Sequence, residues 1–134
     1  MNPSTSNPAP GYKKYPKHRL AAKPAGARVR VTVKGEVIAD TRNAVELHET
    51  PEGHVVAPVV YYVPRKDVKM DRFVKTEHST YCPYKGDASY YSMSVGGDTV
   101  ENAVWSYEKP YDEVMDIKEY FAFYPKKVDK IEAV

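Results

Sequence analysis

Short apolar runs that alternate with polar residues, and that Gly or Pro interrupts, most constrain how this chain folds. In residues 29–33 three valines alternate with Arg30 and Thr32, so a strand there has one buried and one solvated face. Comparable runs recur at 36–39, 45–48, 55–63, 88–95, 100–107 and 121–123, and turn signals such as Pro51-Glu52-Gly53 and Gly96-Gly97-Asp98 separate them. The pattern predicts a mainly β domain.

A single segment has helical spacing. It follows Pro110, and the residues at helical spacing are Tyr111, Val114, Met115 and Lys118. Proline suits the first turn of a helix, so one short helix is predicted here. The turn at Gly96-Gly97 predicts a hairpin that sets Tyr90 and Trp105 roughly on facing strands. Residues 68–78 are mixed, and we expect a loop with a helical turn.

The chain length of 134 residues is that of one domain with a tail. Residues 1–24 hold five of the 11 prolines, and such a segment cannot bury enough apolar surface to fold alone. We therefore expect a disordered, basic, Pro-rich arm at 1–16 and a single domain at 17–134. Residues 1–35 carry eight Lys or Arg and no acid, whereas the remainder carries 12 basic and 18 acidic residues.

This charge division bears on the partners. A basic arm can contact nucleic acid, but the acidic body repels phosphate, so nucleic acid is disfavoured as a partner. A mean hydropathy of −0.61 and the lack of a long apolar run exclude a membrane span. The first residues contain no apolar segment typical of a secretory signal, and a single cysteine cannot form an internal disulfide, so we expect a cytoplasmic protein.

One run concentrates reactive side chains: Cys82-Pro83-Tyr84-Lys85-Gly86-Asp87-Ala88-Ser89-Tyr90-Tyr91. As a nucleophile, Cys82 needs a nearby cation that favours its thiolate, and Lys85 is three residues away. The alternative is a small buried side chain, which is the usual state of a free cysteine. Lys85 itself either binds an anion or forms an imine in a partly apolar cup, or it is a surface lysine on a turn.

Four aromatic residues are candidates for the walls of a pocket: Tyr62, Tyr90, Trp105 and Tyr107. Aromatic faces hold planar or cationic ligands, and tyrosine hydroxyls fix their orientation. The alternative is a core cluster, which any small β domain needs for bulk. Ser89 either places a hydroxyl near this pocket or faces water.

The remaining polar candidates are weaker. Asp67, in Pro64-Arg65-Lys66-Asp67-Val68, is either a carboxylate that moves protons or a cap for the turn that follows. His48 and His54 flank a turn and are expected to be exposed, and His18 and His78 are weak site candidates. Four scattered histidines do not form a metal site, so we expect no metal.

Several motifs together resemble one known family. They are Val29-Arg30-Val31 with Gly35 and Ala39-Asp40, Tyr62-Val63-Pro64-Arg65-Lys66-Asp67-Val68, the Cys82 run, Asn102-Ala103-Val104-Trp105-Ser106-Tyr107, and Phe121-Ala122-Phe123-Tyr124-Pro125. From about His18 to Glu132, the chain closely resembles the domain-of-unknown-function family 427. The Cys82 run in this context is the most specific of the motifs.

The resemblance implies a small β-tent, which is two antiparallel sheets pinned at one end with one short helix. This fold looks like that of class B methionine-sulfoxide reductases and of the drug-binding domain of cereblon. Many relatives on the fold bind zinc through paired cysteines, but Cys82 is alone, so neither zinc nor another cofactor is expected. The family also carries a nucleotidyl-transferase label, although this sequence contains no G-x-x-x-x-G-K-[ST] motif and no D-x-D pair.

Three functions remain open at this point. The first is a small-molecule-binding domain with Tyr62, Tyr90, Trp105 and Tyr107 as walls and with Cys82 and Lys85 as polar or reactive groups. The second is an enzyme in which Cys82 or Lys85 acts covalently and Asp67 or a tyrosine moves protons. The third is a partner-binding module that uses the basic arm. An exposed β edge also leaves a homodimer open.

Overall fold

The structure is a computed structural model that describes residues 6–51 and 57–134. Within these ranges the chain forms ten β-strands: β1 Arg19–Pro24, β2 Val29–Val33, β3 Glu36–Thr41, β4 Val45–Thr50, β5 Val60–Tyr62, β6 Phe73–Cys82, β7 Gly86–Val95, β8 Asp98–Tyr107, β9 Ala122–Phe123 and β10 Lys130–Ala133. Five short 3-10 helices accompany them: Pro10–Lys13, Arg65–Asp67, Met70–Arg72, Asp112–Ile117 and Pro125–Lys127.

The strands pair antiparallel throughout, in the orders β1-β4-β5, β10-β2-β3 and β6-β7-β8-β9. The prediction of a mainly β domain is confirmed. The hydrogen-bonded sheets number three among the described residues, where two were expected. Val63, which follows β5, and Phe121, which precedes β9, exchange a single pair of backbone hydrogen bonds.

The alternating pattern and the central hairpin form as predicted. Val29, Val31 and Val33 are buried on one face of β2, while the residues between them are half-buried. Gly96 and Gly97 both have positive φ in the two-residue turn between β7 and β8, and Tyr90 pairs directly with Trp105.

Both faces of the central hairpin β7–β8 are covered. Successive residues of a strand point to opposite faces, yet Tyr90 and Tyr91 are both buried. Tyr91 belongs to a core cluster with Met93, Val104 and Phe121, and Tyr90 to a second one with Leu47, Tyr62, Tyr107 and Ile117. The second cluster lies beneath the run that contains Cys82 and Lys85.

Two sequence predictions need correction. The expected helix after Pro110 is a 3-10 helix interrupted at Val114, where the three-residue spacing of Val114 and Ile117 buries both side chains. Strand β6 begins at Phe73, inside the segment predicted as a loop. Glu52 and Gly53 of the predicted turn, His54 and the start of the run at 55–63 lie outside the described residues.

The arm contacts the domain. Residues 1–5 lie outside the described residues, and Asn7 and Ala9 donate backbone hydrogen bonds to the carboxylates of Asp112 and Glu113. None of the helices in the described ranges is long and apolar enough to cross a membrane.

Truncation of Phe121 should strongly destabilise the domain. The ring is fully buried and contacts Phe73 and Tyr91, with ring centroids 5.2 and 4.8 Å away. We expect Phe121→Ala to lower the free energy of unfolding by about 3–5 kcal/mol in urea titrations. Val74→Ala, at an exposed position, should change it by less than about 0.5 kcal/mol. Equal costs for the two would contradict this core assignment.

Candidate functional site

The motif run forms the turn between two strands of the central sheet. Cys82 ends β6, Gly86 begins β7, and the backbone N–H of Lys85 donates to the Cys82 carbonyl at 3.2 Å. Gly86 has a φ of 113°, and a Cβ there would lie 3.3 Å from the carbonyl oxygen of Lys109. Glycine is therefore required at this position, because the backbone has a positive φ and the Lys109 carbonyl leaves little room for a side chain. The turn directs Lys85 toward β4.

Glu49 on β4 binds two basic side chains at once. Lys85 Nζ donates to Oε1 and His18 Nε2 is bonded to Oε2, both at 2.9 Å. The side chains are 22% (Glu49), 14% (Lys85) and 6% (His18) exposed. Polar and charged groups so removed from water require partners, and this cluster of His18, Glu49 and Lys85, which we call the Glu49 cluster, supplies them internally.

Aromatic rings hold His18 in place. Its imidazole stacks on Tyr84 with centroids 3.7 Å apart and planes 6° apart, and Tyr12 packs edge-on against Tyr84 at 5.2 Å. Sequence reasoning ranked His18 low and did not single out Glu49. A signal was present, however: Val45, Leu47 and Glu49 lie two residues apart, so a carboxylate follows two apolar residues on the same face of the strand.

Cys82 is half-buried and packs against the second core cluster. The ammonium of Lys85, which the sequence suggested as its activating cation, is instead bound to Glu49. Burial raises the pKa of Tyr62 and Tyr107 well above the ordinary value, and Glu49 and Cys82 add to that rise. These tyrosines therefore stay protonated at neutral pH and act as hydrogen-bonding groups.

The aromatic candidates do not form one pocket. Tyr62, Tyr90 and Tyr107 are only 1%, 7% and 6% exposed and belong to the core, so the prediction that they line a pocket is wrong. The buried second face of the sheet requires large side chains, and these rings fill it. Trp105 differs, because it is half-buried, donates from Nε1 to the Tyr62 hydroxyl at 3.2 Å and packs on Tyr124.

Trp105 lines a cleft of about 640 Å³. Its other lining residues are mostly apolar, with two charged ones: Glu49, Ala57, Pro58, Val59, Val60, Tyr61, Phe123, Pro125, Lys130 and Ile131. Glu49 thus belongs both to the buried charged cluster and to the lining of the cleft. The arrangement presents an aromatic and aliphatic surface with a carboxylate and an ammonium group.

Asp67 holds two loops together. Its Oδ2 accepts a hydrogen bond from Thr41 Oγ1 at 2.7 Å, and the same hydroxyl accepts from the backbone N–H of Asn43 at 2.9 Å. The short helix that follows, Met70–Arg72, has Lys69 at its N-cap and no side-chain capping bond, so Asp67 does not cap it. Asp67 has no contact with the Glu49 cluster within the described part of the chain.

Ser89 lies in a polar network on the opposite face of β7 from Tyr90. Its hydroxyl bonds Glu108, which also accepts from Lys75 Nζ at 2.7 Å, from an Arg65 amino group at 3.3 Å and from the Tyr91 hydroxyl at 3.1 Å. Burial acts to raise the pKa of Glu108, but the hydrogen bonds from Lys75, Ser89 and Tyr91 outweigh it and hold the pKa at about 2. Ser89 therefore supports the sheet.

The low pKa of Glu108 predicts a loss of stability in acid. Because the folded pKa lies below the unfolded value, the stabilisation is complete above about pH 4.5 and disappears as the pH falls toward 2. Glu108→Gln should reduce the fall in unfolding free energy between pH 5 and pH 2 by about 2 kcal/mol. Urea titrations across this range measure it, with exposed Glu101→Gln as the control, and an unchanged slope in Glu108→Gln would contradict the network.

The pair of Lys85 and Glu49 should contribute more to stability than a surface pair does. Lys85→Met leaves the largely buried carboxylate with His18 alone, and we expect a loss of about 2 kcal/mol. The matched control is Lys69→Met, because Lys69 bonds Glu36 at 3.1 Å but is half exposed, and it should cost less than about 0.5 kcal/mol. Similar losses in urea titrations would show that burial of the Lys85 pair has no such effect.

Fold and site together define a small, mainly β, antiparallel domain with a buried charged cluster beside an apolar cleft. The chain belongs to the family described as domain of unknown function (DUF427), named for nucleotidyl transfer, and the match covers residues 21–134. The resemblance read from the sequence motifs is thereby confirmed. No curated protein shows significant similarity to the chain. The match contains Glu49 and Lys85 but begins after His18, so the arm lies outside it.

Proposed function

We propose that this protein binds a flat, mostly apolar small molecule in the Trp105 cleft. The observation that carries the proposal is the cleft itself, in which Trp105, Val59 and Ile131 line a space next to a carboxylate held by buried partners. Its volume of about 640 Å³ lies within the range of about 300–1,000 Å³ typical of small-molecule sites.

The lining favours a particular ligand chemistry. Apolar walls gain free energy by removing a flat hydrocarbon surface from water, and the indole of Trp105 adds stacking. Glu49 and Lys130 are the charged residues of the lining, so they orient a ligand that carries polar groups at its edge. Lys85 and His18 act indirectly, because they hold the Glu49 carboxylate.

A second candidate is an enzyme that uses Lys85 or Cys82. The observation that favours it is the contact of three acid–base side chains in the Glu49 cluster, whose carboxylate lines the cleft. A thermal-shift screen of metabolites with wild type and Cys82→Ser separates the two. A ligand that raises the melting temperature of both proteins supports binding alone, whereas one lost in a folded Cys82→Ser favours participation of the thiol.

The cleft can be tested with 8-anilinonaphthalene-1-sulfonate, a flat aromatic anion. Trp105 is the single tryptophan, so quenching of its emission by the bound dye reports directly on the cleft. Val59→Asp introduces a charge at a lining position that is 42% exposed, and it should weaken dye binding roughly tenfold or more at unchanged melting temperature.

The matched control is Val74→Asp. Val74 is the same residue type, is 68% exposed on β6 and does not line the cleft. We expect its dye affinity to lie within about twofold of wild type. If both variants bind the dye as wild type does, or if the dye binds without quenching Trp105, the cleft is not the binding site.

A further inference from the structure

The arm lies in a groove of the domain, and the groove forms hydrogen bonds with the main chain of the arm. Asn7 N–H donates to Asp112 Oδ2 at 2.8 Å, and Asp112 N–H donates back to the Asn7 carbonyl at 3.0 Å. Farther along, Ala9 N–H donates to Glu113 Oε1 at 2.8 Å and Gly11 N–H to the Pro83 carbonyl at 3.0 Å. We call the surface formed by residues 83–84 and 112–113 the arm groove.

The arm groove also selects side chains by size. Ala9 is buried, and a Cβ on Gly11 would lie 2.6 Å from Cε1 of the Tyr84 ring. That ring cannot easily move away, since the His18 imidazole stacks on one of its faces. The groove therefore requires glycine at position 11 and encloses the small side chain at position 9, which is the selectivity of a peptide-binding site.

The arm and its groove are separable parts of the chain. The groove residues lie within the family match at 21–134, whereas residues 7–12 precede it. The four groove bonds involve the arm's main chain, so an identical arm from a second molecule can form the same bonds.

We propose that the arm groove is a peptide-binding surface that accepts the arm of a second copy of this chain, so that two copies exchange arms. Charge favours this occupant, because the arm carries Lys13 and Lys14 and the groove carries Asp112 and Glu113. The tethered arm has an effective concentration in the millimolar range, so each copy fills its own groove at low protein concentration. This inference does not depend on the ligand of the Trp105 cleft.

Complementation between two damaged copies tests the exchange. Gly11→Val gives a copy whose arm cannot enter a groove but whose groove is intact. The double variant Asp112→Ala, Glu113→Ala gives a copy whose groove lacks two acceptors but whose arm is intact. Each variant alone should sediment as a monomer of 15.2 kDa, and an equimolar mixture should form a species of twice that mass. Circular dichroism and melting curves check that both variants fold.

Two further measurements make the outcome decisive. Trypsin should cut after Lys13 or Lys14 at least tenfold faster in Gly11→Val than in wild type, because its arm has left the groove. A labelled peptide of residues 6–18 should bind Gly11→Val at least tenfold more tightly than wild type, whose groove is already filled.

A folded Gly11→Val copy with a trypsin-resistant arm would overturn the selectivity for glycine. If the arm is released in Gly11→Val but the peptide does not bind, the proposal that the arm groove binds peptides would be overturned. Peptide binding by Gly11→Val without any mass increase in the mixture would overturn exchange between copies. Peptide binding together with a mixed dimer supports the whole proposal.

Discussion

Burial of both faces of the β7–β8 hairpin is the constraint on which the rest of the structure depends. Tyr90 and Tyr91 are neighbours in β7, yet each lies in a different apolar cluster, so further layers must cover the sheet on both sides. Strands β2, β3 and β10 contribute to one cover, and β1, β4 and β5 to the other. Polar groups that remain inside must then be fully paired, as Glu108 and Glu49 are.

Glu49 illustrates how this constraint produces a candidate site. Its position on β4 continues the buried face of Val45 and Leu47, and a carboxylate on such a face is stable only with partners. The turn after Cys82 brings Lys85 to one oxygen, and the segment before β1 brings His18 to the other. The cleft lies where Glu49, Trp105 and Val59 meet at the edge of the core.

Local patterns predict the strands well, because the alternation at 29–33 and the turn at Gly96-Gly97 depend only on residues that are neighbours in sequence. They also identify the turn that carries Lys85. The sequence cannot show which of several aromatic residues fill the core, since Tyr62 and Trp105 look alike until the second layer is placed. His18 and Glu49 are 31 residues apart and meet only through the β1–β4 pairing. The backbone bonds that order the arm have no sequence signature.

The arm groove and the Trp105 cleft are linked through His18, although the two proposals are independent. His18 follows the arm and precedes β1, so it contributes to the Glu49 cluster beside the cleft while its ring supports Tyr84 under Gly11. Residues 14–17 between the groove and His18 are exposed, and a change of path there lets the arm leave while His18 stays bound to Glu49. Exchange of arms between two copies is therefore compatible with an intact cleft in each copy.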